Sequence, residues 1–495
     1  MAWAPATYPG YWQALEGFIP VFNVVQSGPI ASVATTPDLW HGTGSATFIL
    51  AQPFLLLGLS PTAAVRALFI LCFILGSLGI YIWLEPRLGD RSAGLAGLVY
   101  AFSPIFLSTV YIRGSLSDAL VLALLPLALA AAAVYAASSA PAVAGLLVIA
   151  VVWLWRVQAG LALWATVMLL LYALVVERHR LTALAVAVAG AAGLVSLAPL
   201  WSIRGDNGIV FTEHFVHFFQ LFGHQWQVAP SVVGWQDGYP FQIGLAALAF
   251  STVTFWLWRR KRHRTMEIDR LLWFSYGVGL GLIVLSLTIS APLWRFTQAG
   301  RVLTYPWQVL LLALPFLTVT AGSLAGMNQS LARVPQWAVL TALIVLAGYP
   351  TLTTEFTQLQ PPTRPQAMLG DRSNLAVLDA VLSEDAATET ATLAITWQAL
   401  QPLDADYNVF FQAIQPGGDS PQVIAQLDVQ PLDGAMPAST WQPGSIHTDT
   451  YVLDLPQDAR SPDPLHYYFG FYDWRDGTRL PVDGGIDDKL VFHGR

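Results

Sequence analysis

Residues 111–118 read YIRGSLSD and separate two long apolar runs, at 94–110 and 120–135. The stretch holds an arginine, Arg113, and an aspartate, Asp118, where the chain would otherwise continue as hydrocarbon. A charge beside the hydrocarbon core of a membrane is costly, so ionisable residues in such places usually mark a functional site. The stretch therefore predicts a turn between two transmembrane helices, with a binding site at its mouth.

The composition is that of a membrane protein. Of the 495 residues, 55% are hydrophobic and only 11% are charged, whereas a soluble domain carries about 25% charged residues. The net charge of −7 gives no reason to expect nucleic acid as a partner, and the single cysteine, Cys72, can form neither a disulfide framework nor a cysteine metal cluster. Runs long enough to span a bilayer predict about ten transmembrane helices, at 61–84, 92–110, 117–137, 181–201, 240–258, 271–289, 305–324 and 337–353, with two more within 142–176.

Basic loops predict the orientation, because cytoplasmic loops carry an excess of Lys and Arg. The run at 259–264 reads RRKRHR and is the strongest cytoplasmic signal in the chain. If the spans alternate, the opposite face carries residues 1–60, 111–116, 202–239, 290–304 and everything after 354. Residues 1–44 fall on that outer face although no predicted span precedes them, so we expect a further transmembrane helix upstream of Met1.

The composition changes after Pro350. A proline-rich linker at 355–389, with a short helix expected near 374–382, leads to runs that alternate apolar and polar residues, at 391–400, 407–415, 422–429, 450–455 and 467–473. Short strands with regular turn signals predict a small all-β sandwich. The expected fold is therefore an all-α polytopic membrane domain followed by a β-sandwich, divided as an outer loop with an interfacial helix (1–60), a helical domain (61–354), a linker (355–389) and an extracytoplasmic sandwich (390–495).

The 111–118 stretch itself allows two interpretations. Arg113 could bind a phosphate or carboxylate through two parallel hydrogen bonds. Alternatively, Ser117 caps the next helix, Asp118 complements its dipole and Arg113 extends toward the interface. Local sequence alone gives the two interpretations equal weight.

The first outer loop offers two carboxylates, Glu16 and Asp38. Either could act as a general base on an acceptor hydroxyl or share a divalent cation with a phosphate. For either residue alone, an ordinary solvated loop acid is the commoner interpretation. They are the candidate catalytic residues.

Two later outer loops supply further candidates. In 202–239, His214 and His217 stand three residues apart beside Glu213, which would suit a metal site. Their phenylalanine neighbours favour instead an amphipathic interfacial helix, with His214 and His217 facing water or a cleft. In 290–304, Arg295 and Arg301 oppose the positive-inside trend, which favours phosphate or pyrophosphate binding over chance placement. Interfacial anchoring is the competing interpretation.

The motifs resemble those of one superfamily. Residues 111–118, followed by Leu124-Leu125-Pro126-Leu127, are similar to a Y-x-R-G-x-x-x-(E/D)…L-P-L signature of bacterial multipass proteins in the GT-C glycosyltransferase superfamily. This group is related to protein O-mannosyltransferases and aminoarabinose transferases. The entry Tyr305-Pro306-Trp307 resembles it too, although Gln308 stands where similar sequences often have arginine.

The resemblance implies an active site on the extracytoplasmic face of a bacterial cell membrane, a polyprenyl-phosphate-linked sugar as donor, and a glycan or protein as acceptor. It also implies that a first-loop acid is catalytic. Because the polar loops fall on one face, the candidate substrate-binding residues are Arg113, Asp118, His217, Arg295 and Arg301, with Arg113 as the ligand of a lipid-linked phosphate and Asp118 as a helix-start and orienting residue. The alternative is a non-catalytic membrane scaffold or accessory subunit that retains a GT-C-like fold.

Overall fold

The computed structural model of the protein describes residues 2–26, 45–197, 211–223, 225–228, 231–260, 265–297, 303–328, 330–359, 362, 365–370, 374–385, 388–415, 422–456, 464–482 and 488–494. The chain forms two compact units. The helical unit comprises Met1–Ala14 and Ser27–Phe356, and the β-rich unit comprises Leu15–Gln26 and Thr357–Arg495. The predicted order, a helical region followed by a β domain, is confirmed, whereas the predicted region 1–60 is divided between the two units.

Sixteen α-helices lie within the described residues. They are α1 (Ile19–Gln26), α2 (Ser45–Ile49), α3 (Gln52–Leu56), α4 (Pro61–Leu88), α5 (Asp90–Ala101), α6 (Pro104–Ser108), α7 (Leu116–Ser138), α8 (Pro141–Val157), α9 (Ala159–Tyr172), α10 (Arg180–Ser196), α11 (Leu245–Arg260), α12 (Met266–Ser286), α13 (Ala291–Thr297), α14 (Val309–Gly322), α15 (Leu324–Met327) and α16 (Val334–Gly348). Where one interfacial helix was expected in the outer loop, the structure has the two short helices α2 and α3.

Seven helical segments in the described part of the chain are long and apolar enough to cross a membrane. They are Pro61–Leu88, Asp90–Arg113, Leu116–Ser138, Ala159–Glu177, Met266–Ser286, Pro306–Met327 and Val334–Leu352. Helices α8, α10 and α11 occupy the three other predicted spans but have only 17, 17 and 16 residues. The chain is therefore an integral membrane protein, while the predicted number of ten spans is not confirmed.

The crossing of α4 and α7 depends on a proline and two glycines. Pro126 lies inside α7 and has no N–H, so it leaves the carbonyl of Leu122 without its helical donor. The hydroxyl of Tyr100, on α5, donates to that carbonyl at 2.5 Å. A Cβ on Gly76 would lie 2.9 Å from the same carbonyl oxygen, and one on Gly79 would lie 2.8 Å from the backbone N of Leu127. Small residues in α4 therefore let the two backbones approach closely at the kink.

Removing the hydroxyl of Tyr100 tests how this kink is stabilised. We expect Tyr100→Phe to lower the free energy of unfolding by about 1–3 kcal/mol, because it leaves a buried carbonyl without a donor. In a Pro126→Ala background the loss should be smaller, since the new N–H of residue 126 can donate to Leu122. The measurement is a double-mutant cycle of thermal stability in detergent, and equal losses in both backgrounds would contradict this account.

The β-rich unit consists of antiparallel sheets around one apolar core. The strands found among the described residues are β1 (Tyr11–Trp12), β2 (Phe356–Thr357), β3 (Ala367–Leu369), β4 (Leu375–Asp385), β5 (Thr390–Ala399), β6 (Tyr407–Gln415), β7 (Gln422–Val429), β8 (Ile446–Asp454), β9 (His466–Asp473) and β10 (Leu490–His493). One sheet has the order β3-β4-β5-β8 and the other β10-β9-β6-β7. Trp397 of β5 meets Phe471 of β9 edge-on at 5.5 Å, and both belong to the shared core, which is the arrangement of a β-sandwich.

Strand β4 stands where a short helix was predicted, near 374–382. The segment was expected to be helical, yet it pairs with β5 along Leu375–Asp385, so the domain begins before residue 390. The register shifts between Val377 and Asp379, which places an irregularity in the strand. The run LAVLDAVL therefore departs from strict alternation of apolar and polar residues, and its spacing resembles that of a helix.

Candidate functional site

Residues 111–118 adopt a local structure that depends on Gly114. Residues Thr109–Arg113 form a π-helical turn, a feature that often occurs at functional sites. Gly114 follows with φ +73°, and the N–H of Ser115 donates to the carbonyl of Thr109 at 3.1 Å. Helix α7 begins two residues later, with Asp118 in its first turn as predicted. The turn therefore fixes Arg113 and Asp118 beside each other.

Arg113 and Asp118 form an ion pair that is almost completely removed from solvent. Nη1 of Arg113 donates to Oδ2 of Asp118, and their side chains are 15% and 1% exposed. The amide of Gln158, between α8 and α9, donates to Oδ1 of Asp118 at 3.4 Å. Its own Oε1 is buried and has no hydrogen-bond partner among the described residues. The pair and the amide form a polar centre inside otherwise apolar helices.

Aromatic rings enclose the guanidinium of Arg113. Its Cζ lies 5.2 Å from the ring centroid of Trp307 and 5.9 Å from that of Tyr305, which are cation–π distances. Tyr239 stacks on Trp307 at 4.7 Å. Gln308 accepts hydrogen bonds from the backbone N–H groups of Thr304 and Tyr305 at 3.2 and 3.1 Å. Gln308 therefore holds the aromatic turn in place through its side-chain carbonyl.

A second set of polar side chains lies beside Tyr305. The ring of His214 meets the ring of Tyr305 at 5.1 Å in a T-shaped arrangement. Nδ1 of His214 lies 3.1 Å from Oγ of Ser231, and that hydroxyl donates to Oδ2 of Asp237 at 2.7 Å. The N–H of Tyr239 donates to Oδ1 of the same carboxylate at 2.9 Å. Hydrogen bonds thus connect Asp237 through Ser231 to His214. The ring of His214 contacts Tyr305, and Tyr305 also lies beside Arg113.

Burial sets the protonation tendencies in this group. Burial lowers the pKa of His214, and the nearby charges of Asp237 and Glu213 oppose that shift. Burial raises the pKa of Asp237, while the hydrogen bonds from Ser231 and Tyr239 act in the opposite direction. The imidazole is therefore neutral near pH 7.

The interfacial helix predicted around His217 is wrong for the described residues 211–223. Two short 3-10 turns, Phe211–Glu213 and Phe218–Phe222, stand there instead. Val216 lies between them. Its N–H donates to the carbonyl of Ser286 at 2.9 Å, and its C=O accepts from the N–H of Thr288 at 3.1 Å. His217 caps the second turn, so it and His214 do not share a helical face.

The remaining candidates are Glu16, Asp38, Arg295 and Arg301. Arg295 is exposed on α13. Glu16 belongs to Leu15–Gln26, which clusters with the β-rich unit. Asp38 and Arg301 lie outside the described residues. Within the part of the chain that is described, no group of three or more His, Cys, Asp and Glu side chains could hold a metal ion.

Several residues of this centre escaped sequence reasoning. Gln158 lies within the predicted region 142–176 but was not singled out, and Tyr305 and Trp307 were recognised only as part of a short motif. His214 was weighed together with His217 but not selected. In the β-rich unit, Trp397 and Trp441 are buried in the core, whereas Trp474 is exposed.

No protein-family model matches the chain, and no curated protein sequence matches it. The geometry of the site therefore carries the functional argument.

Proposed function

We propose that the protein is a membrane glycosyltransferase that moves a sugar from a polyprenyl-phosphate donor to an acceptor on the extracytoplasmic face. The observation that carries the proposal is the placement of Arg113. Its guanidinium is nearly buried at the start of α7 and lies against Trp307 and Tyr305. A fixed cation with an apolar and aromatic surround suits an anionic headgroup attached to a lipid chain.

The chemistry of the guanidinium supports a phosphate as its ligand. Arginine presents five N–H donors in a planar fork, so one side chain can bridge a carboxylate and a phosphate. A site with little water strengthens each of these contacts. Asp118 and Gln158 would then orient the fork, and Arg295 or Arg301 would add charge from the later loop.

The proposed topology follows from the spans and the basic loops. We assign ten transmembrane helices, with α8, α10 and α11 as short spans beside the seven longer ones. The loops that carry Arg87, Arg178 and Arg259 face the cytoplasm. The 111–118 turn and the β-rich domain are then extracytoplasmic, in a bacterial cell membrane, as in the GT-C superfamily that the motifs resemble.

In the reaction as proposed, the acceptor hydroxyl attacks the anomeric carbon while the phosphate leaves. A first-loop acid, Glu16 or Asp38, would activate the hydroxyl or orient a divalent cation. The acceptor is a glycan or protein, and the sandwich would position it.

Arg113 gives the direct test of donor binding. We expect Arg113→Ala to weaken binding of polyprenyl phosphate at least tenfold in lipid nanodiscs, because a charge-assisted contact is worth about 1.5–3 kcal/mol. Arg113→Lys should recover only part of the affinity, since it keeps the charge but loses the fork. Arg333→Ala, at an exposed arginine before α16, serves as the control. Equal affinity of all four proteins would contradict the assignment.

One observation favours the alternative, a non-catalytic scaffold or accessory subunit. Arg113 and Asp118 already neutralise each other in a buried pair, an arrangement that can serve structure alone. The two functions differ in turnover. A transferase releases polyprenyl phosphate from at least one member of a panel of polyprenyl-phosphate hexoses and pentoses when acceptor glycans or peptides are supplied. A scaffold releases it from none.

A further inference from the structure

We propose that His214 accepts the proton of the acceptor hydroxyl, with Ser231 and Asp237 as its positioning residues. The inference rests on the proposed transferase function and assigns a proton acceptor within the helical unit itself. It gives His214 the role of base that the sequence interpretation and the reaction above allow to a first-loop carboxylate, and leaves that carboxylate the other role, the orientation of a divalent cation.

The hydrogen bonds fix the tautomer of the imidazole. A serine hydroxyl has one hydrogen, and that of Ser231 is donated to Oδ2 of Asp237. The contact between Ser231 Oγ and His214 Nδ1, at 3.1 Å, must then be donated by Nδ1–H. In the neutral ring the lone pair consequently resides on Nε2. This is the form that a general base requires before it takes a proton.

Backbone hydrogen bonds hold the segment that carries His214 close to Arg113. Val216, two residues on, bonds to the backbone at the end of α12 through both its N–H and its C=O. The ring of His214 contacts Tyr305 at 5.1 Å, and Tyr305 in turn borders Arg113 at 5.9 Å. The proton acceptor and the proposed phosphate ligand therefore share one aromatic neighbour.

The charges around the ring suit a base that works near neutral pH. Glu213 on the same segment and Asp237 on the facing loop both stabilise the protonated ring, and Tyr305 supplies a neutral face. Burial acts against protonation and is the larger influence on the pKa. The ring is thus neutral before the reaction, and two carboxylates stabilise the imidazolium that forms.

The step balances without a further reactant. The acceptor oxygen forms a bond to the anomeric carbon, and the bond from that carbon to the phosphate oxygen breaks. The electron pair leaves with the phosphate, which Arg113 binds. The hydroxyl proton moves to Nε2 of His214 and is later released to water.

The experiment compares His214→Gln with His179→Asn in the full chain in nanodiscs, because His179 caps the start of α10 and asparagine can keep that cap. General bases contribute about 10²–10⁴-fold, so we expect His214→Gln to lower kcat at least 100-fold and to remove the acidic limb of its pH profile. Binding of polyprenyl phosphate should stay within twofold, and His179→Asn should retain both kcat and the pH profile. Ser231→Ala should shift the acidic limb with a smaller loss of kcat.

Chemical rescue keeps the test informative if the ring also supports the fold. We expect added imidazole to restore turnover to His214→Ala but not to Arg113→Ala. Unchanged turnover and pH profile in His214→Gln, or an absence of rescue in a folded His214→Ala, overturns the role of His214 alone. Absence of turnover in the unmodified protein across the donor and acceptor panels overturns the transferase function and this inference together.

Discussion

Asp118→Ala is expected to lower the free energy of unfolding by about 3–5 kcal/mol, because it leaves the charge of Arg113 buried without its carboxylate. Asp118 is 1% exposed and Arg113 is 15% exposed, so water replaces the lost partner only in part. Asp118→Asn should cost less, since an amide of the same shape still accepts a hydrogen bond from the guanidinium.

The single cysteine provides the measurement. Cys72 is buried in α4, so a thiol-reactive fluorophore labels it only when the helical unit opens. The double variant Arg113→Met/Asp118→Leu is the matched control, because replacing a buried pair by apolar residues of similar size is often neutral or stabilising. If the double variant were as unstable as Asp118→Ala, the pair would not be the source of the loss.

This stability test also separates the two roles of the pair. A structural pair predicts that the double variant is stable and that nothing else changes. A binding site predicts that the same stable protein has lost its affinity for polyprenyl phosphate. The scaffold and transferase hypotheses therefore predict different affinities for polyprenyl phosphate in the double variant, which is folded under either hypothesis.

The extent of the membrane region could be read from the sequence because apolar runs depend only on composition. Each predicted span coincides with a helix, but Gly244, with φ +100°, precedes α11 and shortens the span expected at 240–258. The spacing of phenylalanines at 211, 215, 218 and 222 suggested a helix as well. There the pairing of Val216 with the end of α12 interrupts the helix, and a contact so distant in sequence leaves no periodic signal.

Part of the candidate site could also be predicted from composition alone. Arg113 and Asp118 stand out because they are charges within apolar runs, and five residues of separation keep them close whatever the tertiary fold. The contributions of Gln158, Tyr239 and His214 depend on which helices and loops meet. No local pattern encodes those meetings, and for His214 the deciding neighbour, Asp237, lies 23 residues away.

Close helix crossings are a further feature with a large expected effect. A Cβ built on Gly79 lies 2.8 Å from the backbone N of Leu127 and 2.9 Å from Cβ of Pro126. Both neighbours belong to the backbone or ring at the kink of α7, so neither can rotate away as a flexible side chain would. The clash can be relieved only if α4 and α7 separate, which would also pull Tyr100 from the carbonyl of Leu122.

We therefore expect Gly79→Ala to lower the free energy of unfolding by about 3 kcal/mol, at the upper end of the usual cost of overpacking. Gly277→Ala is the matched control, because Gly277 lies in the membrane-length helix α12 and a Cβ there meets nothing within 4 Å. Alanine favours a helix over glycine by up to about 1 kcal/mol, so the control should be neutral or stabilising. Labelling of Cys72 on heating measures both variants. Similar stability of the two would show that α4 and α7 do not cross as closely as the structure places them.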